Sequence, residues 1–341
     1  MRNFALLLLL IPILGCQRDD LTHPNLTRTD SGWELKLPEG FPQPDIPASN
    51  PMHPNKVELG KRLFFEKQLS RTQELSCGTC HQPALAFTGG VAINPGVEDR
   101  IGIRNAPTLS NAAYLEAFMF DGGPKNLENQ GMLPFDDHNE FDFNLIHATE
   151  RIREDSTYAG LFENAFGKPL EPKLILMAMA AYERTLLSGN SPYDQYLNSG
   201  KTEGLSESAL KGLELFESDR LQCSNCHTGL FFTNHNFETN GLYRAGQDSG
   251  RMRVTLEESD RGLFKVPTLR NLRYSAPYFH DGRFWTLEEV LDFYSEEGMV
   301  HRGDSTRGLH LTEGEKQDLM AFLMSLSDSS FVQDHLKDGT P

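Results

Sequence analysis

The sequence predicts a mostly α-helical protein whose two halves repeat one another. Three observations carry that expectation. A Cys-x-x-Cys-His motif occurs twice, as Cys77-Gly-Thr-Cys80-His81 and as Cys223-Ser-Asn-Cys226-His227. The segments flanking the two copies match at fixed offsets. Apolar residues recur at helical spacing, and no sustained strand alternation is present.

The repeat sets the order of elements. Gly60-Lys-Arg-Leu63-Phe64 precedes the first motif and Gly212-Leu-Glu-Leu215-Phe216 the second. Pro107-Thr108-Leu109 is matched by Pro267-Thr268-Leu269, and Asp121-Gly122 by Asp281-Gly282, with 14 residues from Pro to Asp in both halves. Leu127-Glu128 and Leu287-Glu288 lie at the same distance beyond. Residues 57–65 read as a helix, as do 174–187, a strongly apolar run suited to burial between domains. Residues 188–204 read as a polar linker. Ser206 to Phe216 opens the second half as a capped helix, and 286–294 and 312–326 carry N-cap signals at Thr286 and Thr312.

Cys-x-x-Cys-His is a haem attachment motif: two thiols bond the haem vinyl groups and the histidine sits under the iron. Two such pairs could instead hold zinc, and either pair could do thiol redox chemistry. A histidine after both pairs favours haem. The expected architecture is thus two cytochrome c-like domains, 49–190 and 200–341, each holding one c-type haem. Cys77, Cys80 and His81 would serve the first; Cys223, Cys226 and His227 the second.

The fifth cysteine belongs to a leader. Arg2 precedes an apolar run that ends Ile13-Leu14-Gly15-Cys16. It is too short to span a bilayer as a mature helix and resembles a bacterial lipoprotein signal, residues 1–16, with lipid on Cys16. Residues 17–48 then read as a tether with an extended piece near 33–37. The expected location is the periplasm, held to a membrane through that anchor alone, where haem attachment and export agree. A net charge of −16 disfavours nucleic acid and allows steering of basic redox partners.

The opposite face of each haem decides function. Thirteen residues after Asp281 lies Tyr294; thirteen after Asp121 lies Pro134. A tyrosine oxygen can ligate ferric iron and a proline cannot. One haem should therefore be capped and pass electrons, while the other stays open to a small molecule. Met299, His301, His235 and Met252 are rival ligands, and Tyr294 could also be a core aromatic.

Residues 51–326 resemble the bacterial di-haem cytochrome c peroxidases, including their MauG branch. The likeness rests on both haem motifs, Arg104-Asn-Ala-Pro-Thr108, Phe120-Asp-Gly122, Val266-Pro-Thr-Leu-Arg-Asn271 and Ala276-Pro-Tyr-Phe-His280-Asp-Gly282. It implies a peroxidatic N-terminal haem, an electron-transfer C-terminal haem and a calcium ion between them. By position it implies a distal pocket of Gln130, Pro134 and Glu140, with Gln130 orienting peroxide and Glu140 moving a proton. It places Phe120 and His280 at the haems. It assigns calcium to the Asn105 side chain and the Ser275 and Pro277 carbonyls. Tyr294 falls where MauG carries tyrosine and other members carry methionine.

Three departures from the pattern bear on function. No histidine lies between His81 and His138, so nothing of that kind caps the first haem at rest. Phe120 stands where the family has an inter-haem tryptophan, and Leu221 where MauG has a hole-conducting one. The leading expectation is reduction of hydrogen peroxide to water with electrons from a small donor, a cytochrome c or a cupredoxin. A MauG-like oxidase acting on a partner protein through high-valent haem, and a non-catalytic electron-transfer cytochrome, are the competing readings. Family members are often dimers, which makes a homodimer an expectation.

Overall fold

The computed structural model describes residues 33–242, 248–296 and 308–339. Its helices run α1 (Pro54–Phe64), α2 (Cys77–Cys80), α3 (Leu127–Gln130), α4 (Leu133–Asp136), α5 (Leu145–Glu154), α6 (Leu161–Phe166), α7 (Pro172–Glu183), α8 (Pro192–Asn198), α9 (Glu207–Glu217), α10 (Met252–Thr255), α11 (Leu287–Glu296), α12 (Glu313–Ser325) and α13 (Ser329–His335). Among the described residues, paired strand is limited to β1 (Phe237–Glu238) and β2 (Phe264–Lys265), antiparallel with Phe237 opposite Lys265. No described helix is long and apolar enough to cross a membrane. Cys16, Met299 and His301 lie outside the described residues.

The expected helices form where caps dictate. α1 starts three residues before the apolar periodicity because His53 caps it and Pro54 takes a first-turn position, where a missing N–H costs nothing. Ser206 accepts from the Ala209 amide at 3.1 Å to start α9. Thr312 and Glu315 close a capping box on α12. Thr286 and Glu289 exchange the same pair of bonds at the start of α11, at 3.1 and 3.0 Å.

Two glycines set how these helices meet. A Cβ on Gly60 would lie 1.9 Å from the Ala178 carbonyl oxygen, so α1 and α7 cross backbone to backbone. A Cβ on Gly212 would lie 2.0 Å from the Asp318 carbonyl oxygen, so α9 and α12 cross in the same way. Each crossing heads an apolar cluster. Leu63, Leu69, Ile152, Leu174 and Ile175 are buried in one, and Phe216, Leu221, Phe322 and Leu326 in the other.

A matched pair of asparagines meets at Ser188, near the end of the first half. Asn111 and Asn271, each four residues beyond the matched prolines, both take left-handed backbone, with φ of 61° and 65°. Asn111 exchanges two 2.9 Å bonds with the Ser188 backbone. Asn271, fully buried, donates to Ser188 Oγ at 2.9 Å and accepts from the Asp328 amide at 2.9 Å.

Two connecting segments differ from the sequence reading. Residues 188–204 contain α8 rather than only a linker, and its Asp194 forms a buried bidentate pair with Arg270 at 2.9 and 2.8 Å. The buried polar partners sit at the start of this segment, at Ser188, Ser191 and Asp194, while residues 197–204 are exposed as a linker would be. The described end of the tether, 33–48, has no helix or strand but buries Leu35, Phe41 and Ile46. Phe41 packs edge-on to Phe231, with centroids 5.3 Å apart, and under the Arg270 guanidinium.

Candidate functional site

A single cavity of about 600 Å³ runs across both halves and is lined by every residue of both cysteine–histidine motifs that could hold haem. Cys77 and Cys80 sit at the two ends of α2, one turn apart; Cys223 opens a short 3₁₀ turn that ends beside Cys226. All four are free thiols. Burial keeps them protonated, with Cys80 and Cys223 pushed up to about 11. Among the described residues no cluster of three or more Cys, His, Asp or Glu converges as a metal site, so the two pairs do not meet as zinc requires.

Both histidines are held alike. His81 Nδ1 lies 3.0 Å from the Phe87 carbonyl and His227 Nδ1 lies 3.1 Å from the Phe232 carbonyl. Each bond fixes a ring and leaves Nε2 as the nitrogen available to the cavity. Behind each histidine a threonine closes the loop: Thr108 Oγ1 donates to the Ala86 carbonyl at 2.6 Å, and Thr268 Oγ1 to the Phe231 carbonyl at 2.7 Å. Burial lowers the basicity of both imidazoles, which favours the neutral form that binds metal. Free thiols, oriented imidazoles and walls that include Leu75, Ile93, Leu269 and Leu319 fit a covalently held haem in each half.

The halves diverge on the facing side. In the second, α11 runs unbroken to Glu296 and brings Tyr294 to the cavity. Tyr294 shares a hydrogen bond with Asn240, and burial holds its phenol well above the usual range. In the first, α3 stops after Gln130 and α4 restarts at Leu133, with Pro134 in its first turn. The first half thus has a break where the second has continuous helix. Gln130, Pro134 and Glu140 all line the cavity there.

Glu140 lies on the polar loop after α4, which sequence alone reads as solvated surface. Phe135 and Phe141 clamp that loop into the core, edge-on at 5.6 Å. Arg71 and Arg100 hold Asp142 at 2.9 and 2.7 Å. Gly96 lets the loop close, since a Cβ there would meet the Asn139 carbonyl at 1.9 Å. Burial, then the charge of Asp137, push the Glu140 carboxyl up to about 7.

Between the halves lie aromatic rings. His280 stacks on Phe264, centroids 3.6 Å apart, and meets Phe120 edge-on at 6.4 Å. Burial drives His280 down to about 4, so it is neutral. Asn105, Ser275 and Pro277 also line the cavity. The Asn105 amide nitrogen donates to the Val91 and Ala92 carbonyls at 3.0 and 3.1 Å, which turns its oxygen elsewhere. His235 lines the cavity too, whereas Met252 opens α10 and does not line it. Leu221 is buried in the second core, and Trp285 is exposed.

Two cavity residues escape the sequence reading. Glu183 ends the apolar α7, its Oε2 is buried without a hydrogen bond, and burial raises it to about 8. Lys265 follows Phe264 on β2 and is 8% exposed. An isolated acid or base beside an apolar run was their only signal.

Residues 54–202 match the family described as di-haem cytochrome c peroxidase. The methylamine utilization protein MauG of Methylorubrum extorquens is 36% identical over 298 residues, covering 86% of this chain and 83% of that protein. The chain belongs to the di-haem cytochrome c peroxidase family. The cytochrome c551 peroxidase of Pseudomonas aeruginosa is 33% identical, covering 81% of this chain and 80% of its own length. A solved MauG-like protein associated with microbial copper homeostasis superposes with a TM-score of 0.79 at 31% identity, covering 88% of this chain and 97% of that one. The family accounts for the doubled motif and for one cavity reaching both copies.

Proposed function

We propose that this chain is a periplasmic peroxidase that reduces hydrogen peroxide to water, taking electrons from a small donor such as a cytochrome c or cupredoxin. Its two cytochrome c-like domains, 49–190 and 200–341, each hold one haem. His81 and His227 would each hold one haem iron, and Tyr294 would be a second ligand to the iron of the second haem. The haems would relay the donor's two electrons and supply an iron able to bind peroxide. The chain's own residues do the rest. Gln130 orients the peroxide by hydrogen bonding. The Glu140 carboxylate takes the proton from one peroxide oxygen and returns it to the other. Two electrons and two protons complete two waters. Phe135 and Phe141 keep the Glu140 loop closed over its side of the cavity.

The observation that carries this reading is the interruption of the helix at Gly131–Met132, against the unbroken α11 that presents Tyr294. Asn105, Ser275 and Pro277 supply oxygen donors from both halves, which suits calcium. The lipid on Cys16 anchors the protein. A MauG-like oxidation of a partner protein is favoured by Tyr294 and opposed by Phe120 and Leu221, which are hard to oxidise. The test is steady-state consumption of peroxide by the purified two-haem protein with reduced cytochrome c. Turnover supports the peroxidase; a long-lived spectral change without turnover supports the MauG-like reading; no reaction leaves only electron transfer.

A further inference from the structure

The cavity holds an unmatched cation. Four basic side chains of the described residues line it: Arg104, Arg253, Lys265 and Arg270. Arg104 pairs with Asp121 and Asp248 at 2.8 and 2.7 Å, and Arg270 with Asp194 at 2.8 Å. Arg253 lies 3.9 Å from Asp121. Lys265 alone among these four has neither an ion pair nor a side-chain hydrogen bond. Its backbone is pinned, because its amide donates to the Phe120 carbonyl at 2.8 Å and β1 pairs beside it.

A buried ammonium without a counter-charge is costly. Burial is the one cause that depresses Lys265, to about 8, and no carboxylate offsets it. A second donor lies within its electrostatic reach. His235 feels the charges of Glu116 and, after it, of Lys265, lines the same cavity, and its Nδ1 is buried without a hydrogen bond. Both residues line the cavity, and the Lys265 ammonium with the His235 nitrogen offers donors suited to an anion with two oxygens.

We propose that Lys265 and His235 together bind a haem propionate at the seam between the two halves. The inference rests on the di-haem reading and assigns His235 to the edge of a haem instead of to its iron. A bound propionate completes the charge balance of Lys265, and the lysine in turn favours the ferrous state of that haem by partly cancelling the carboxylate.

The test is spectroelectrochemistry of each haem in the two-haem protein, with haem content first counted by pyridine haemochrome. A count below two in the unaltered protein defeats the di-haem reading itself. Lys265→Met removes one positive charge. At a fixed applied potential it should lower the ferrous-to-ferric ratio of one haem about tenfold, the size of a screened charge at this range. That is 59 mV for a one-electron couple. Lys265→Arg keeps the charge and should restore the ratio to within about twofold, which a purely structural role would not do. His235→Phe should shift the same haem in the same direction, and it reads the contact independently should Lys265→Met not retain both haems. Unchanged potentials in Lys265→Met with both haems present, or an Arg variant that behaves like Met, would overturn the assignment. So would a shift that appears only when phosphate is added, since the site would then take a free anion.

Discussion

Gly60 presses directly on the carbonyl of Ala178, with space for no more than a hydrogen, and Gly212 does the same on Asp318. These two crossings build the two helix pairs that frame the cavity. Gly60→Ala and Gly212→Ala should each destabilise the protein by about 1–3 kcal/mol or more, the usual cost of overpacking. Denaturant midpoints at equal haem content measure this. A neutral substitution at either glycine would mean that the helices do not cross as described.

Asp194 and Arg270 are buried at 4% and 1% side-chain exposure and paired two oxygens to two nitrogens. Asp194→Ala strands the guanidinium and should cost about 3–5 kcal/mol. Replacing both partners with apolar residues should recover most of that loss. A single variant that keeps wild-type stability would show that the α8 segment is not anchored through this pair.

Glu140 should give the peroxide reaction its pH dependence. Its carboxyl is raised to about 7, so below that pH it is protonated and cannot accept a proton. The rate of the peroxide reaction should rise with pH through about 7. Glu140→Gln should slow the reaction about 10²-fold and flatten that rise, while both haems remain. Stopped-flow rates across pH 5–9 decide it. A Gln variant with the wild-type profile would return Glu140 to the surface role that its neighbours suggest.

Tyr294→Phe removes one oxygen from a packed aromatic site, where Phe279 and Phe293 lie 6.0 and 5.2 Å away between ring centroids. The fold should survive, and the ferric spectrum should lose one low-spin six-coordinate haem. Tyr294→Met should restore six-coordination with a shifted potential. Met299→Ala and His301→Ala should change nothing. If one of those two alters the spectrum and Tyr294→Phe does not, the register between the halves is wrong.

Much of this was legible because repeats compare a sequence with itself. The offsets from Pro107 and Pro267 paired Thr108 with Thr268, whose bonds only the structure shows, and set Pro134 against Tyr294. Caps at Ser206, Thr286 and Thr312 located three helix starts. Asp194 and Lys265 were not legible, since their meaning depends on partners 76 residues away or on a cavity wall. Glu140 was read as bland surface from its polar neighbours alone. Phe135 and Phe141, which bury it, look like ordinary core residues until the loop is closed. The α7 boundary came early because the apolar run continues past the last helical residue, Glu183, into a turn through Thr185.

The most direct measurement is peroxide turnover in a protein whose Cys77 and Cys80 are replaced by alanine. Haem staining should show one covalent haem, held by Cys223 and Cys226, and peroxide consumption with reduced donor should be abolished. The matching Cys223→Ala and Cys226→Ala protein should keep the open haem and react with peroxide once, without sustained turnover. Full turnover in the Cys77→Ala and Cys80→Ala protein would contradict the placement of the reaction in the first half of the chain.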